Sequence, residues 1–210
     1  MKQLRNAFTL LLIAAVSVQL VSCLDDDDST METLTEEDYS TYLTSMSGLY
    51  TGDLIFWNDT LTSDDKEDTV SVAAYVKGAG DSIISVSVPA WTLVKAVEDD
   101  ELRWSLYNME DVTLEIKFYL YYQENGYLIL GIYPQTVTAE MEDAEGVYHD
   151  VEFTFYTYSN YNGWFVSKYL YAAFFMTKIE VDGDEAAEFS IGLTTYDDSS
   201  IYVLNLTKYS

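Results

Sequence analysis

The chain holds one histidine, His149, set between Tyr148 and Asp150. Nucleophilic catalysis of the Ser-His-Asp type needs an imidazole to accept the nucleophile's proton, and no Gly-x-Ser-x-Gly elbow accompanies this one. His149 is therefore expected as a surface or strand-end residue. One histidine and one cysteine exclude metal sites built from those ligands, and neither standard glycine-rich phosphate loop occurs. Hard cations want several oxygens from one loop, and Asp182-Gly183-Asp184-Glu185 offers three carboxylates beside a glycine, though not at EF-hand spacing; a plain acidic hairpin turn explains the same residues. Glycoside hydrolysis needs a carboxylate pair across a cleft, and 36 acidic residues single out no pair. No catalytic residue, cofactor or metal is assigned.

Aromatic residues are the denser signal, with 19 tyrosines, 9 phenylalanines and 4 tryptophans. Tyr156, Tyr158, Tyr161 and Trp164 straddle a strand end and the turn Asn160-Tyr161-Asn162-Gly163. Flat aromatic faces beside amide side chains are what a sugar ring needs, apolar stacking plus hydrogen bonds. Tyr158, Tyr161, Asn162 and Trp164 are the candidate ligand-binding set. The alternative is that these rings fill a second buried face or cover barrel ends, as aromatics do in β proteins.

The N-terminus has its own chemistry. Lys2 and Arg5 precede an apolar run from Ala7 to Val18, then Gln19 and Leu20-Val21-Ser22-Cys23, the three-part layout of a signal peptide. The run is shorter than the roughly 20 residues of a membrane span. The tetrapeptide resembles the bacterial lipobox, which implies cleavage before Cys23 and lipidation of its thiol. As the only cysteine, Cys23 cannot staple the fold by an internal disulfide. Asp25, Asp26, Asp27 and Asp28 follow at once and resemble the acidic export signal of surface lipoproteins in the Bacteroidota; a solvated acidic tether is the plainer account. The expected location is the outer membrane, lipid-anchored and exposed at the cell surface.

Cleavage would remove Lys2 and Arg5 and take the formal charge from −26 to −28. Nucleic acid needs a basic stripe and is excluded as a partner, and an acidic surface repels anionic lipid beyond the anchor itself. Asp59-Thr60-Leu61, Asp68-Thr69-Val70 and Asp81-Ser82-Ile83 resemble the O-glycosylation acceptor pattern of exported Bacteroidota proteins, making Thr60, Thr69 and Ser82 candidate sites.

The elements that would carry these residues are mostly strands. Residues 24–33 read as a tether, and Thr35-Glu36-Glu37-Asp38 as a capping box opening a short helix with Tyr39, Tyr42, Leu43 and Met46 on one face, stopped by Gly48. Strands are expected over Leu49–Trp57, Val70–Lys77, Ile83–Val88, Val112–Tyr122, Tyr127–Tyr133, Val151–Tyr156, Trp164–Val181, Phe189–Tyr196 and Ile201–Tyr209, with one or two helical turns between Trp91 and Asn108. The Asn125-Gly126 pair predicts a tight hairpin. Residues 1–22 are read as signal peptide, 23–33 as lipidated tether and 34–210 as a single β-rich domain, mainly β, folded as an antiparallel barrel or strongly curved sheet with a two-sheet sandwich as the alternative.

On this layout, with Met46-Ser47-Gly48-Leu49-Tyr50-Thr51-Gly52 and Val88-Pro89-Ala90-Trp91-Thr92-Leu93, the chain resembles a group of uncharacterised lipoproteins of gut Bacteroidota, some described as calycin-like barrels. The resemblance implies fold and location and brings no catalytic residue. The expected function is a non-enzymatic surface lipoprotein that binds a ligand, with a glycan or an extracellular protein as partner. The alternatives are a structural or interaction subunit of a cell-envelope complex and a hydrolase using undetected carboxylates.

Overall fold

Between Val112 and Leu120 every second residue is buried and those between are exposed, as happens when one face of a strand meets a core and the other meets water. The computed structural model describes residues 32–58, 67–78, 82–94, 97–157, 162–189 and 200–209. In chain order these form β1 (Glu32–Thr33), α1 (Glu36–Met46), β2 (Gly48–Trp57), β3 (Glu67–Lys77), β4 (Ile83–Val88), a 3-10 turn (Ala90–Thr92), α2 (Asp100–Tyr107), β5 (Val112–Glu124), β6 (Tyr127–Pro134), β7 (Val137–Glu142), β8 (Tyr148–Tyr156), β9 (Gly163–Val166), β10 (Tyr169–Val181), β11 (Asp184–Glu188) and β12 (Ile201–Lys208).

Eight strands close an antiparallel barrel in the order β2-β3-β4-β5-β6-β9-β10-β12. It closes where β12 pairs with β10 on one side and with β2 on the other, from Tyr202 opposite Phe56 to Lys208 opposite Tyr50. The barrel, and not the sandwich, is the architecture. Its interior is filled. Tyr50, Tyr202, Phe56, Phe118, Phe174 and Leu54 are among the largest fully buried side chains. Phe174 and Tyr202 stack at 5.6 Å with Phe155 edge-on to both, a geometry that aromatic quadrupoles favour.

The two ends are stoppered by different segments. At one, the capping box holds: Thr35 Oγ1 accepts from the Asp38 amide at 3.2 Å and Asp38 Oδ2 accepts from the Thr35 amide at 3.0 Å. The Thr35 hydroxyl and amide hold the Asp38 carboxyl below its ordinary range. α1 then places Leu43 and Met46 in the core, and the buried Tyr50 hydroxyl donates to the Met46 carbonyl at 2.7 Å. At the other end the 3-10 turn closes the barrel, its Thr92 carbonyl accepting from the buried Tyr202 hydroxyl at 3.0 Å. α2 packs against that turn and against β7, with Leu106 in the core and Leu102 packed on it.

β10 is longer than the barrel needs. Residues Tyr169 to Phe175 pair with β12, and the remainder pairs with β8 on one side and β11 on the other, while β7 pairs with β8. These four strands form a flap whose Phe153, Val151 and Ile179 belong to the same apolar cluster as the barrel core.

Four elements differ from the sequence expectation, one of them β11 (Asp184–Glu188), which lies where no strand was expected. The run Trp164–Val181 is two strands, because Ser167 takes φ 56° and turns the chain between β9 and β10. β7 was not anticipated, since Ala139, Glu140 and Glu142 are poor strand formers by residue type. Strand pairing begins at Glu32, inside the stretch read as tether, where Glu32 and Thr33 lie opposite Gln123 and Tyr122 of β5. Asn125 and Gly126 make the expected hairpin turn with φ 51° and 81°. Phe189 lies just beyond β11, and residues 190–196 of the expected strand lie outside the described residues.

Candidate functional site

Outward-pointing residues of β5, β6, β9 and β10 are aromatic far more often than a solvated sheet face requires. The register sets Tyr119 opposite Gly131, Tyr122 opposite Ile129, Ile129 opposite Trp164, and Trp164 opposite Tyr171. The rings meet: Tyr119 and Tyr133 pack edge to face at 5.4 Å, Tyr127 stands edge-on to Trp164 at 5.5 Å, and Trp164 lies parallel to Tyr171 at 5.4 Å. The Tyr121 and Tyr133 hydroxyls are 2.8 Å apart. Tyr119 is 51% and Tyr127 44% exposed, while Trp164 is half-buried. The result is an aromatic band on the outer wall, open to solvent along Tyr119 and Tyr127.

Tyr171 is the band's buried member. Among the described residues its hydroxyl has no hydrogen-bond partner, and burial pushes its pKa well up, so it stays a neutral donor. Tyr171, Ala173 and Phe175 form a second buried apolar cluster with Ile201 and Val203 on the outer face of β10 and β12, against which Trp164 and Ile55 pack.

Asn162 positions Trp164 from within. It is 4% exposed; its Oδ1 accepts from the Ile132 amide at 2.8 Å, and its Nδ2 donates to the carbonyls of Ile132 and Ala173 at 3.2 and 3.0 Å. An amide spent on three backbone groups ties β6 to β10 and holds the start of β9 between them. The next residue must be glycine, since a Cβ at Gly163 would come within 2.6 Å of the Ile132 side chain and 2.9 Å of the Tyr171 carbonyl. Tyr158 and Tyr161, the other members of the candidate set, lie outside the described residues, as do Cys23 and Thr60. Of the remaining hydroxyl candidates, Thr69 is exposed on β3. Ser82 is 9% exposed, takes φ 47° and donates to the Gly78 carbonyl at 3.2 Å.

Tyr119, Tyr127 and Tyr171 were not singled out by sequence reasoning. Their signal was parity: each occupies the non-core position of its strand, and gathering aromatics by outward parity rather than by nearness along the chain would have found the band. Parity could not have found a further exposed pair, Trp104 and Tyr107 at 64% and 49%, three residues apart on α2, with Tyr107 6.1 Å from the Trp91 ring.

The flap carries the acidic chemistry. A groove of about 400 Å³ is lined by Thr138, Asp150, Val151, Glu152, Glu180, Asp182 and Gly183. Across its strands Glu152, Glu180 and Glu185 lie directly opposite one another, and Lys178 offsets part of this charge by pairing with Glu180 at 2.7 Å. Among the described residues no group of three His, Cys, Asp or Glu side chains could hold a metal ion. The Asp182-Gly183 turn opens the β10–β11 hairpin, and the Asp182 carboxylate is occupied by His149 and the Asp150 amide. His149 sits at the start of β8 with its Nδ1 2.7 Å from Asp182 and its Nε2 3.1 Å from Asp143. With a carboxylate on each ring nitrogen, the imidazole has no free face for a nucleophile's proton.

Among the described residues no helix is long and apolar enough to cross a membrane. Residues 45–182 match a sequence family described as Domain of unknown function (DUF4840). No curated protein and no solved structure matches the chain.

Proposed function

The chain belongs to the DUF4840 family, and we propose that it is a non-enzymatic lipoprotein of the outer membrane, anchored through Cys23 and displayed at the cell surface, that binds glycan on its outer aromatic band. The observation that carries this reading is the contact chain Tyr127, Trp164 and Tyr171, in which an exposed ring stands edge-on to a half-buried tryptophan that is stacked on a buried tyrosine. The filled interior supports it too: with Tyr50, Phe118, Phe174 and Tyr202 inside the barrel, a ligand is held on the wall rather than in a calyx. Stacking of a sugar face on tryptophan, joined by a tyrosine hydroxyl as donor, is the chemistry such a wall supplies.

The test is a glycan-panel screen of the purified chain beside Trp164→Ala. Saturable binding that falls at least tenfold in the variant supports the assignment; silence across the panel from folded wild-type protein rejects it.

A second reading, an interaction subunit of an envelope complex, draws on Trp104 and Tyr107, whose exposure on α2 suits the aromatic anchors of protein interfaces. Cross-linking through position 104 to a defined envelope protein, with binding lost in Trp104→Ala, would favour it.

A further inference from the structure

Two hairpin turns of the flap meet at the chain's one histidine. Asp143 starts the β7–β8 turn, its Oδ1 accepting from the Glu145 and Val147 amides at 2.9 and 2.8 Å, which leaves Oδ2 for His149 Nε2. Asp182 occupies the β10–β11 turn; its Oδ1 accepts from the Asp150 amide at 2.9 Å, which leaves Oδ2 for His149 Nδ1, and its own amide donates to the Asp150 carbonyl at 2.8 Å. Each aspartate is thus aimed by backbone hydrogen bonds, and the imidazole spans the gap between the two turns, 33 residues before Asp182 in the chain.

A neutral imidazole carries one N–H and one lone pair. Between two ionised carboxylates the lone pair would face an oxygen at hydrogen-bond distance, so only the imidazolium satisfies both contacts. We infer that His149 is a protonation-operated latch that fastens the β7–β8 turn to the β10–β11 turn and so holds the Asp182-Gly183 wall of the flap's acidic groove.

The charges around the ring act in one direction. Beyond Asp182 and Asp143, its register partner Met141 on β7 is flanked by Glu140 and Glu142, His149 itself by Tyr148 and Asp150 on β8, and the β10–β11 turn continues into Asp184. The Tyr148 hydroxyl is engaged by Glu142 at 3.3 Å. The hydrogen bonds to Asp182 and then Asp143 raise the His149 pKa above its ordinary value, outweighing desolvation. A raised histidine pKa makes the latch fully present below about pH 6.5, the unfolded value, and released as pH rises through the folded one. The latch therefore opens on the alkaline side, where like-charged Asp143 and Asp182 lose the cation between them.

The experiment uses the full chain. The His149 C2–H resonance, which has no histidine to overlap it, is followed from pH 4 to 9 in wild type, Asp143→Asn and Asp182→Asn. Hydrogen exchange at the Asp182 and Asp150 amides, corrected for intrinsic base catalysis, is measured across the same range in wild type and His149→Gln. A titration midpoint above 6.5 that falls in both aspartate variants, with amide protection lost as pH passes the midpoint and pH-independent in His149→Gln, is expected. A wild-type midpoint at or below 6.5, a midpoint indifferent to either aspartate, or protection that does not follow the titration overturns the latch. Barrel amides of β2 and β12 serve as the folding control in every variant.

Discussion

Trp164 lies flat on Tyr171, their rings 3° from parallel with centroids 5.4 Å apart, and the Tyr171 hydroxyl is buried without a partner among the described residues. Stacking keeps both rings on the outer wall of β9 and β10, while the orphaned hydroxyl is a local cost of roughly 1–3 kcal/mol to the unliganded protein. A stable barrel tolerates such a cost.

Tyr171→Phe separates these effects. Deleting only the unpaired oxygen is expected to raise stability by about 1 kcal/mol, a Tm increase of about 2–4 °C for a chain of this size, while leaving glycan binding on the exposed rings unchanged. Thermal unfolding and titration on the same sample check both expectations. A fall in Tm would mean that the hydroxyl has a partner in solution.

Asn162→Ala is expected to be costly although the side chain is small. It leaves the Ile132 amide and the Ala173 carbonyl without their side-chain partners between β6 and β10, and buried groups stripped of hydrogen bonds cost about 1–3 kcal/mol each. We expect about 2–4 kcal/mol from urea denaturation, with Asn162→Asp nearly as damaging because a carboxylate cannot donate to the two carbonyls. A loss under 1 kcal/mol would show that water replaces the amide.

The helix cap is a smaller and cleaner measurement. Thr35→Ala removes the acceptor for the Asp38 amide and is expected to cost about 1 kcal/mol. The Asp38 carboxyl, held low by the Thr35 hydroxyl and then its amide, adds stability that is present above the unfolded aspartate pKa and lost as pH falls through the folded one. Stability of wild type and Thr35→Ala, measured from pH 6 down to 2, should therefore converge; parallel curves would argue against the reciprocal cap.

Much of the barrel is legible in the sequence because its staves alternate. Val112 to Leu120 and Val151 to Phe155 declare which side is dry, Asn125-Gly126 declares a turn, and Thr35 with Asp38 declares a helix start. Closure was legible only as a preference, since hairpin order does not say that β12 returns to β2. β10 hid its partition because its outward Tyr171, Ala173 and Phe175 are buried as well as its inward Leu170, Ala172 and Phe174; a strand buried on both faces carries no alternation to read. The candidate site was half legible. Trp164 was found by its neighbours along the chain, whereas Tyr119 and Tyr127 reach the band through strand pairing. The latch was not legible at all, because nothing in the spacing of Asp143, His149 and Asp182 announces that two turns converge.

The last prediction concerns whether flap and barrel unfold together. Phe153 is fully buried on β8, opposite Ile179 of β10 and Val137 of β7, outside the strands that close the barrel. Were the flap an accessory, Phe153→Ala would loosen it and leave the barrel's transition in place. Its apolar contacts instead run into the cluster that holds Phe118 and Leu206, and β10 passes through both parts without a break. Phe153→Ala is therefore expected to lower global stability by about 3–5 kcal/mol, with tryptophan fluorescence and far-ultraviolet circular dichroism moving to the same lower midpoint. Two separated transitions, the first small and confined to amides of β7, β8 and β11, would refute the shared core.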